Sequence, residues 1–471
     1  MPEKIHPVLI LVVAALLLAA GCTQPAADSS RGQAGGTPVT LSAADFAVSH
    51  NLDEYMNALF DAGRFSGAVH VARGSTVLLS KGYGMADYEF AVNNTPRTVF
   101  PIGSNTKQFT AAAIMKLQEQ GRLNVTDPVT LYVPGPAQWK DIRIYNLLNH
   151  TSGIPSDGAF SLTDRTDLTL PETVQRIAAL PLSFAPGTNY TYSNNGYIVL
   201  SAVIENASGM SYEEYLKTNI FLPLGMNSTG QDNARDVFAG RASGYTTMAG
   251  KPVHYDLQNI HNSWGAGSVH STTEDLFSWE RSFHTQGTIL SQESTAAMIR
   301  NHYGIDSAVV RNRTMIGHAG RNFGFISYTL YYPDSDVNIM FLSNYDRTSI
   351  APLAGDLSAI VFGQPYSLPQ KLDRKAVLLS LKNSSEYTGT YAPAWEKSWT
   401  ITVYSDDGRL FYDAVMPGDR HVELMYEGND TFFVTPESHD SFIFLRDSSG
   451  KVRGLEMYTQ GSSHDEAVKV S

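Results

Sequence analysis

The segment FPIGSNTKQFTAAAIMKLQEQG, residues 100–121, organises the rest of the chain. Its apolar residues recur at three- and four-residue spacing, which predicts an amphipathic helix that ends at Gly121. Ser104 then lies at or just before the helix N-terminus, and Lys107 returns to the same face one turn later. A serine hydroxyl becomes a nucleophile when a neighbouring base accepts its proton, and burial lowers the pKa of a lysine toward that role. We therefore predict Ser104 as a nucleophile and Lys107 as its base.

The S-x-x-K pattern is weak by itself, because serine is a common cap and turn residue. A second copy occurs at residues 448–451, directly after Asp447 and between two short apolar runs. That composition is typical of a hairpin turn. Other patterns are therefore needed before chemistry is assigned to Ser104.

Two further patterns supply this support. Tyr192-Ser193-Asn194 precedes a predicted helix from Asn195 to Ser208, and His318-Ala319-Gly320 lies at the end of a predicted strand. In this order, the three patterns resemble those of the serine β-lactamase and penicillin-binding-protein superfamily. The resemblance is greatest to the branch that contains class C β-lactamases, D-Ala-D-Ala carboxypeptidases and related esterases. It spans roughly Leu52 to Gly363, with supporting matches at Asn149–Gly153, Pro186-Gly187 and Gly265–Ser268.

Each pattern also has a second match in the chain. Tyr55-Met56-Asn57 lies upstream of the serine, and Ser448 lies too far downstream, so the family order eliminates both. Order does not remove His302-Tyr303-Gly304. We prefer His318 because a predicted strand leads into it and a glycine-containing, strand-forming stretch follows.

The resemblance implies a role for each matched residue. Ser104 attacks a carbonyl and forms an acyl-enzyme, and Lys107 takes its proton. Tyr192 moves protons as a phenolate or through a hydrogen-bond relay, and nearby cations are expected to lower its pKa toward neutrality.

The resemblance also implies substrate-binding residues. Asn194 hydrogen-bonds the substrate, His318 and Gly320 belong to the third pattern, and the N–H groups of Ser104 and Arg321 form the oxyanion hole. Class C β-lactamases and many carboxypeptidases carry lysine where this chain has His318, which is only partly charged at pH 7. This difference favours an ester or a neutral amide, unless Arg321 or Arg313 supplies the missing cation.

The predicted elements give an α+β fold. Strands are expected at Gly67–Ala72, Thr76–Lys81, Thr314–His318, Phe325–Tyr332 and Val337–Ser343, with helices between the two groups. This order predicts one antiparallel sheet with flanking helices and an inserted helical subdomain, as in β-lactamases and DD-peptidases. From about Tyr387 the runs are short and β-rich, which predicts a small antiparallel barrel or sandwich that resembles the lipocalin-like domain of many family members.

The N-terminus is typical of a lipoprotein signal. Lys4 precedes an apolar run from Val8 to Ala20, and small residues lead to Cys22, the only cysteine. We expect lipid on Cys22 and a location in the bacterial or archaeal cell envelope, facing outside the cytoplasm. The alternatives are a plain secretory signal and an uncleaved anchor helix. The predicted boundaries are a signal peptide over 1–21, a tether over 22–41, a hydrolase domain over 42–365, a linker over 366–384 and the β-rich domain over 385–471.

Composition narrows the classes of function. The net charge of −12 and the absence of a basic stripe argue against a nucleic-acid partner. The chain has no H-E-x-x-H and no cysteine pair, so we predict no metal and no cofactor. It also has no G-x-S-x-G, which argues against an α/β-hydrolase. His150 is expected to stabilise a turn, whereas Trp264 either lines the cleft or packs in the core.

Three functions remain open at this point. The leading one is an envelope serine hydrolase acting on an ester, a D-amino-acid peptide or a β-lactam. The second is a sensor that acylates at Ser104 without turnover. The third is a scaffolding lipoprotein with a vestigial active site. The sequence leaves the oligomeric state open.

Overall fold

The protein is described by a computed structural model. The structure describes residues 41–159, 166–232, 236–248, 251–255, 259–377, 384–393, 400–414, 421–436, 440–459 and 463–471. The predicted signal peptide and Cys22 lie outside the described residues, as does the tether except for Leu41. The predicted domain boundaries stay predictions.

The described residues form ten α-helices. They are α1 (Ala43–Asp61), α2 (Thr106–Glu119), α3 (Ile144–Leu148), α4 (Leu170–Ala178), α5 (Asn194–Ser208), α6 (Tyr212–Leu216), α7 (Trp264–Gly267), α8 (Thr273–Arg281), α9 (Gln292–Arg300) and α10 (Ile350–Val361). Short 3₁₀ turns occur at Gly103–Asn105, Val129–Leu131, Ala137–Trp139, Leu222–Leu224, Ile260–Ser263 and Pro333–Ser335, and π turns at Lys217–Phe221 and Ser282–Gln286. No helix of the described residues combines the length and hydropathy needed to cross a bilayer.

Among the described residues, thirteen strands come before the C-terminal barrel. They are β1 (Gly67–Arg73), β2 (Thr76–Tyr83), β3 (Met85–Asp87), β4 (Val92–Asn93), β5 (Phe100–Pro101), β6 (Gly230–Gln231), β7 (Tyr245–Met248), β8 (Lys251–His254), β9 (Val269–Ser271), β10 (Asp306–Val310), β11 (Arg313–Asn322), β12 (Phe325–Tyr332) and β13 (Val337–Ser343). The barrel strands are β14 (Gly389–Pro393), β15 (Ile401–Asp406), β16 (Arg409–Ala414), β17 (Val422–Gly428), β18 (Thr431–Phe433), β19 (Ser441–Arg446), β20 (Val452–Thr459) and β21 (Ser463–Lys469).

A six-stranded sheet, in the order β10-β11-β12-β13-β1-β2, joins distant segments of the chain. Its central pairing sets Gly67 of β1 opposite Ser343 of β13, antiparallel, across most of the sequence. The helices α2 to α9 lie between these two groups of strands in the sequence. This arrangement confirms the predicted α+β fold.

Two apolar cores cover the two faces of the sheet. On one face, α1 and α10 bury side chains such as Leu52 and Leu357 against Phe341. On the other face, α2 and its neighbouring helices form a larger core in which the Phe109 ring lies 4.8 Å from that of Trp279. Because α2 is buried along nearly its whole length, Ser104 is held at the end of a rigid element.

The predicted ends of the two helices that flank the site are confirmed. Gly121 follows α2 with a φ of +68°, and Gly209 follows α5 with a φ of +75°. Both are left-handed conformations that glycine adopts at little cost. Helix α5 begins one residue earlier than predicted, at Asn194, because the Ser193 side chain accepts a hydrogen bond from the Gly196 N–H and caps it.

The C-terminal block is a closed eight-stranded antiparallel barrel, β14 to β21. Aromatic and aliphatic side chains of the described residues pack inside it, with the Phe432 ring 5.3 Å from that of Phe444. The second S-x-x-K copy is part of the turn between β19 and β20, where the Asp447 carboxylate accepts a hydrogen bond from the Ser449 N–H. The small antiparallel β-rich domain predicted from about Tyr387 is thus confirmed, and of the two predicted forms it is the barrel.

Candidate active site

Two close backbone approaches hold the Ser104 turn against strand β11. Gly103 has a φ of +53°, and a Cβ placed there would lie 2.8 Å from the Arg321 backbone nitrogen. A Cβ on Gly320 would lie 1.9 Å from the Ile102 carbonyl oxygen. Space therefore requires glycine at both positions, and at Gly103 the left-handed backbone conformation favours it as well. The contact brings Arg321, the predicted oxyanion-hole donor, beside the turn that carries Ser104.

Lys107 brings its amine to the Ser104 hydroxyl. The Nζ atom lies 3.2 Å from Ser104 Oγ, 2.8 Å from Asn194 Oδ1 and 2.7 Å from the Ala266 carbonyl oxygen. The side chain is fully buried, and this desolvation holds its pKa well below the usual value. An uncharged amine has two N–H donors and one lone pair. Donation to Asn194 and Ala266 therefore leaves the lone pair for the serine proton.

Asn194 is thus oriented by its neighbours. Its Oδ1 accepts from Lys107, while its Nδ2 and its backbone N–H both point at Ser156 Oγ, at 3.3 Å. The prediction that Asn194 contacts the substrate stays a prediction. The structure adds a contact with Lys107 that the sequence analysis did not foresee.

Tyr192 packs over the same amine. Its ring centroid lies 4.8 Å from Lys107 Nζ, and its hydroxyl interacts with the Ser104 side chain. Burial raises the pKa of Tyr192 and outweighs the lowering by Ser104, with smaller increases from Asp306 and Tyr190. The expectation of a lowered pKa is wrong, because the nearby lysine is itself desolvated. The residue is therefore a phenol at pH 7, suited to relaying a proton rather than holding a negative charge.

His150 packs against the Tyr192 ring and hydrogen-bonds the neighbouring backbone. The two rings stack at 4.4 Å, and His150 Nδ1 accepts the Ser193 backbone N–H at 3.0 Å. The His150 carbonyl also accepts the Thr191 N–H at 3.0 Å. Burial, with smaller contributions from Lys107 and His318, lowers the pKa of His150 to about 3, so the ring is neutral and can accept. The sequence predicted a structural residue, and the folded geometry adds its contacts with the Y-S-N loop.

His318 differs from its prediction in two ways. It lies inside β11 rather than at a strand end, because pairing with β12 continues to Asn322 opposite Phe325. Burial, followed by the effect of Lys107, lowers the pKa of His318 to about 4. The ring is therefore neutral at pH 7 instead of partly charged, with Nδ1 donating to the Ala319 carbonyl at 2.6 Å.

The remaining candidates are also placed. Gly304 of the second H-x-G match packs on the outside of α2, where a Cβ would lie 2.5 Å from the Lys107 carbonyl oxygen. The Arg313 guanidinium stacks on Phe362 at 4.0 Å, near the far end of β11, which removes it as a cation for the substrate. Trp264 is buried and packs on His261 with ring centroids 4.7 Å apart. Across the described ranges, no group of three His, Cys, Asp or Glu side chains could hold a metal ion.

Serine, lysine and tyrosine side chains meet at one helix N-terminus, beside an antiparallel sheet that has a helical insert. This combination defines the class of β-lactamase-like and penicillin-binding-protein-like serine hydrolases. The family model described as Beta-lactamase matches residues 48–361, well over half of the chain. The chain therefore belongs to the Beta-lactamase family. This finding confirms the resemblance drawn from the three patterns.

Individual relatives agree with this assignment. Penicillin-binding protein 4* of Bacillus subtilis is 28% identical over 458 residues, which cover 90% of this chain and all of the relative. The octameric penicillin-binding protein homologue from Pyrococcus abyssi has a TM-score of 0.60 at 23% identity, covering 89% of this chain and 99% of that one. The D-amino acid amidase from Ochrobactrum anthropi SV3 complexed with D-phenylalanine has a TM-score of 0.59 at 21% identity, with coverage of 68% and 99%. The two solved structures share the fold.

Stability should fall in acid because of the buried histidines. The folded-state pKa values of His150 and His318, about 3 and about 4, lie below the 6.5 of an exposed histidine. The unfolded chain therefore takes up protons first, and the stabilisation present above pH 6.5 is lost as the pH falls toward 3. Each unit of pKa difference corresponds to about 1.4 kcal/mol. Urea unfolding at pH 7, 6, 5 and 4 measures this loss.

The matched variants are His150→Asn and His302→Asn. Both positions have positive φ, which asparagine tolerates, but His302 is exposed. We expect His150→Asn to be less stable at pH 7 and to lose less stability between pH 6.5 and 4 than the parent protein. His302→Asn should follow the parent profile. Parallel profiles for His150→Asn and the parent protein would remove His150 from this explanation.

Proposed function

We propose that this protein is a serine hydrolase that works through an acyl-enzyme at Ser104 on an ester or an amide. The proposal rests on one observation: the buried Lys107 Nζ lies 3.2 Å from Ser104 Oγ and has two further acceptors, Asn194 Oδ1 at 2.8 Å and the Ala266 carbonyl oxygen at 2.7 Å. Such an amine is a base at neutral pH, which is what a serine nucleophile needs.

The residues can carry out the two half-reactions as follows. Ser104 Oγ attacks the carbonyl carbon while its proton passes to Lys107 Nζ. The oxyanion accepts hydrogen bonds from the N–H groups of Ser104 and Arg321. The proton then moves through the Tyr192 hydroxyl to the leaving group as the bond between this group and the acyl carbon breaks. Water then attacks the acyl-enzyme, gives up its proton by the reverse route, and restores the Ser104 hydroxyl.

The site favours some acyl donors over others. A β-lactam or a D-Ala-D-Ala peptide carries a carboxylate. The buried, neutral His318 ring offers no fixed cation to bind it, and the charge of Arg321 interacts with Asp346. An ester or a D-amino-acid amide without a carboxylate fits better. The similar proteins include penicillin-binding proteins and a D-amino acid amidase. They support an acyl-enzyme hydrolase in general, and the choice among acyl donors is our proposal.

Lys107→Met tests the assignment of the base. Methionine conserves most of the buried volume, so the protein should fold, while hydrolysis of p-nitrophenyl butyrate should fall about 10²- to 10⁴-fold in kcat/KM. Lys451→Met alters the exposed lysine of the second S-x-x-K copy and is the matched control, with unchanged kinetics. Parent-level turnover in Lys107→Met would exclude this lysine as the base.

The covalent step has its own readout. Intact-mass spectrometry during turnover should detect the butyryl adduct on the parent protein and none on Ser104→Ala. An adduct that persists without further product release would favour the sensor over the hydrolase. Full activity in Ser104→Ala would refute the proposal.

We also propose that the protein is lipid-anchored through Cys22 and faces outside the cytoplasm. The support is the order of charged, apolar and small residues before the only cysteine. When the full chain is expressed in a bacterial host, the parent should enter the detergent phase in Triton X-114 partitioning, and Cys22→Ala should move to the aqueous phase. Equal partitioning of the two proteins would count against the lipid.

A further inference from the structure

A chain of buried hydrogen bonds leads from α8 to the turn that carries Ser104. It begins at the Trp279 indole, whose Nε1 lies 3.2 Å from Gln108 Oε1. The Gln108 Nε2 group then lies 2.8 Å from Asn105 Oδ1 and 3.1 Å from Thr329 Oγ1. These four side chains are shielded from water, so each of their polar atoms depends on a partner within the protein.

The chain ends at the backbone beside the proposed oxyanion hole. Asn105 Nδ2 lies 2.6 Å from Ser327 Oγ, and that hydroxyl oxygen lies 2.6 Å from the Ile102 carbonyl oxygen. The same carbonyl is the group that Gly320 approaches closely, and the residue after Gly320 is the proposed oxyanion-hole donor of β11. The last hydrogen bond of the chain is therefore made where the Ser104 turn meets β11.

The Trp279 indole sets the direction of this chain. An indole N–H can only donate, so the Gln108 carboxamide turns its oxygen toward Trp279 and its NH₂ group toward Asn105. Asn105 then accepts with Oδ1 and donates with Nδ2. Because Ser327 accepts this hydrogen bond, its own proton is available for the Ile102 carbonyl. In the reversed chain, Ser327 would donate to Asn105 and the Ile102 carbonyl would lose this donor.

We propose that Trp279 is a positioning residue that fixes the Ile102–Gly103 peptide through this chain, and with it the place of the Ser104 N–H in the oxyanion hole. The inference rests on the proposed function and adds a residue of α8 to the groups that support it. Trp279 acts through its neighbours and not by contact with the substrate. Loss of its N–H permits both carboxamides to turn over, which weakens the anchor of the Ser104 turn.

Trp279→Phe removes the indole N–H and keeps an aromatic ring in the core. We expect it to lower the acylation rate constant for p-nitrophenyl butyrate, measured in single-turnover experiments, about tenfold. Trp139→Phe is the matched control, because Trp139 is equally buried and its Nε1 has no acceptor among the described residues. The control loses the same core volume and should keep the parent rate.

The half-saturating concentration in the same experiments distinguishes positioning from a loosened site. The anchored Ser104 N–H stabilises an oxyanion that exists only after attack on the carbonyl. Its displacement in Trp279→Phe should therefore slow acylation at saturation and leave the half-saturating concentration unchanged. A general loosening of the pocket would raise that concentration.

Ser327→Ala breaks the other end of the chain without altering α8, and it should slow acylation to a similar extent. The double variant Trp279→Phe/Ser327→Ala should be no slower than the slower single variant, because both changes interrupt one chain. Ser358→Ala is the control for this pair. It removes a buried hydroxyl that bonds Tyr332 beside α10, and it should keep the parent rate.

The outcomes separate this inference from the proposed function. A parent acylation rate in Trp279→Phe, an equal loss in Trp139→Phe, a raised half-saturating concentration, or losses that multiply in the double variant would each overturn the role of Trp279 and leave the hydrolase intact. A parent protein that is not acylated removes the proposed function and the inference with it. Urea unfolding of each variant checks that it is folded under the assay conditions.

Discussion

The burial of one amine is the constraint on which the active site depends. A lysine side chain without access to water is costly when charged, so the protein holds Lys107 in its uncharged form. An uncharged amine has two hydrogens to donate, and Asn194 and Ala266 accept both. The orientation of the lone pair toward Ser104 follows from these two acceptors. The chemistry therefore follows from satisfying the hydrogen bonds of a buried polar group.

The fold provides this burial through glycine contacts with the active-site helix. Gly103 and Gly320 let the Ser104 turn approach β11, and Gly304 lets the preceding loop pack on α2 at Lys107. Any side chain at these three positions would push the elements apart. The sheet joins segments from both ends of the hydrolase region, so the site forms only when β1 and β11 to β13 have assembled. Catalytic geometry and long-range folding are thus coupled.

Much of this architecture could be predicted from the sequence. Helices α2 and α5 were predicted close to their observed bounds, each with a glycine just after its last turn, and β12 and β13 were predicted at their observed bounds. The order of the three patterns separated Ser104 from Ser448, which the structure places in a barrel turn. These predictions succeeded because they depend on local spacing and on chain order.

Other properties depend on neighbours that are distant in the sequence. The raised pKa of Tyr192 and the neutral state of His318 come from burial, which a short pattern does not report. His150 contacts Tyr192 across more than forty residues, and its importance to the Y-S-N loop needed the folded geometry. The closure of the barrel depends on the pairing of β14 with β21, which lie at opposite ends of the C-terminal block, so the local sequence pattern did not distinguish a barrel from a sandwich.

The most direct test of the account is the protonation state of Lys107. In protein labelled with ¹³C at lysine Cε, an NMR titration can follow each amine, and the Lys107 signal is the one missing from Lys107→Met. The account predicts that this signal titrates far below the exposed lysines and is in its uncharged form at pH 7.5. A titration near the usual lysine value of about 10.4 would contradict the claim that burial makes this amine a base.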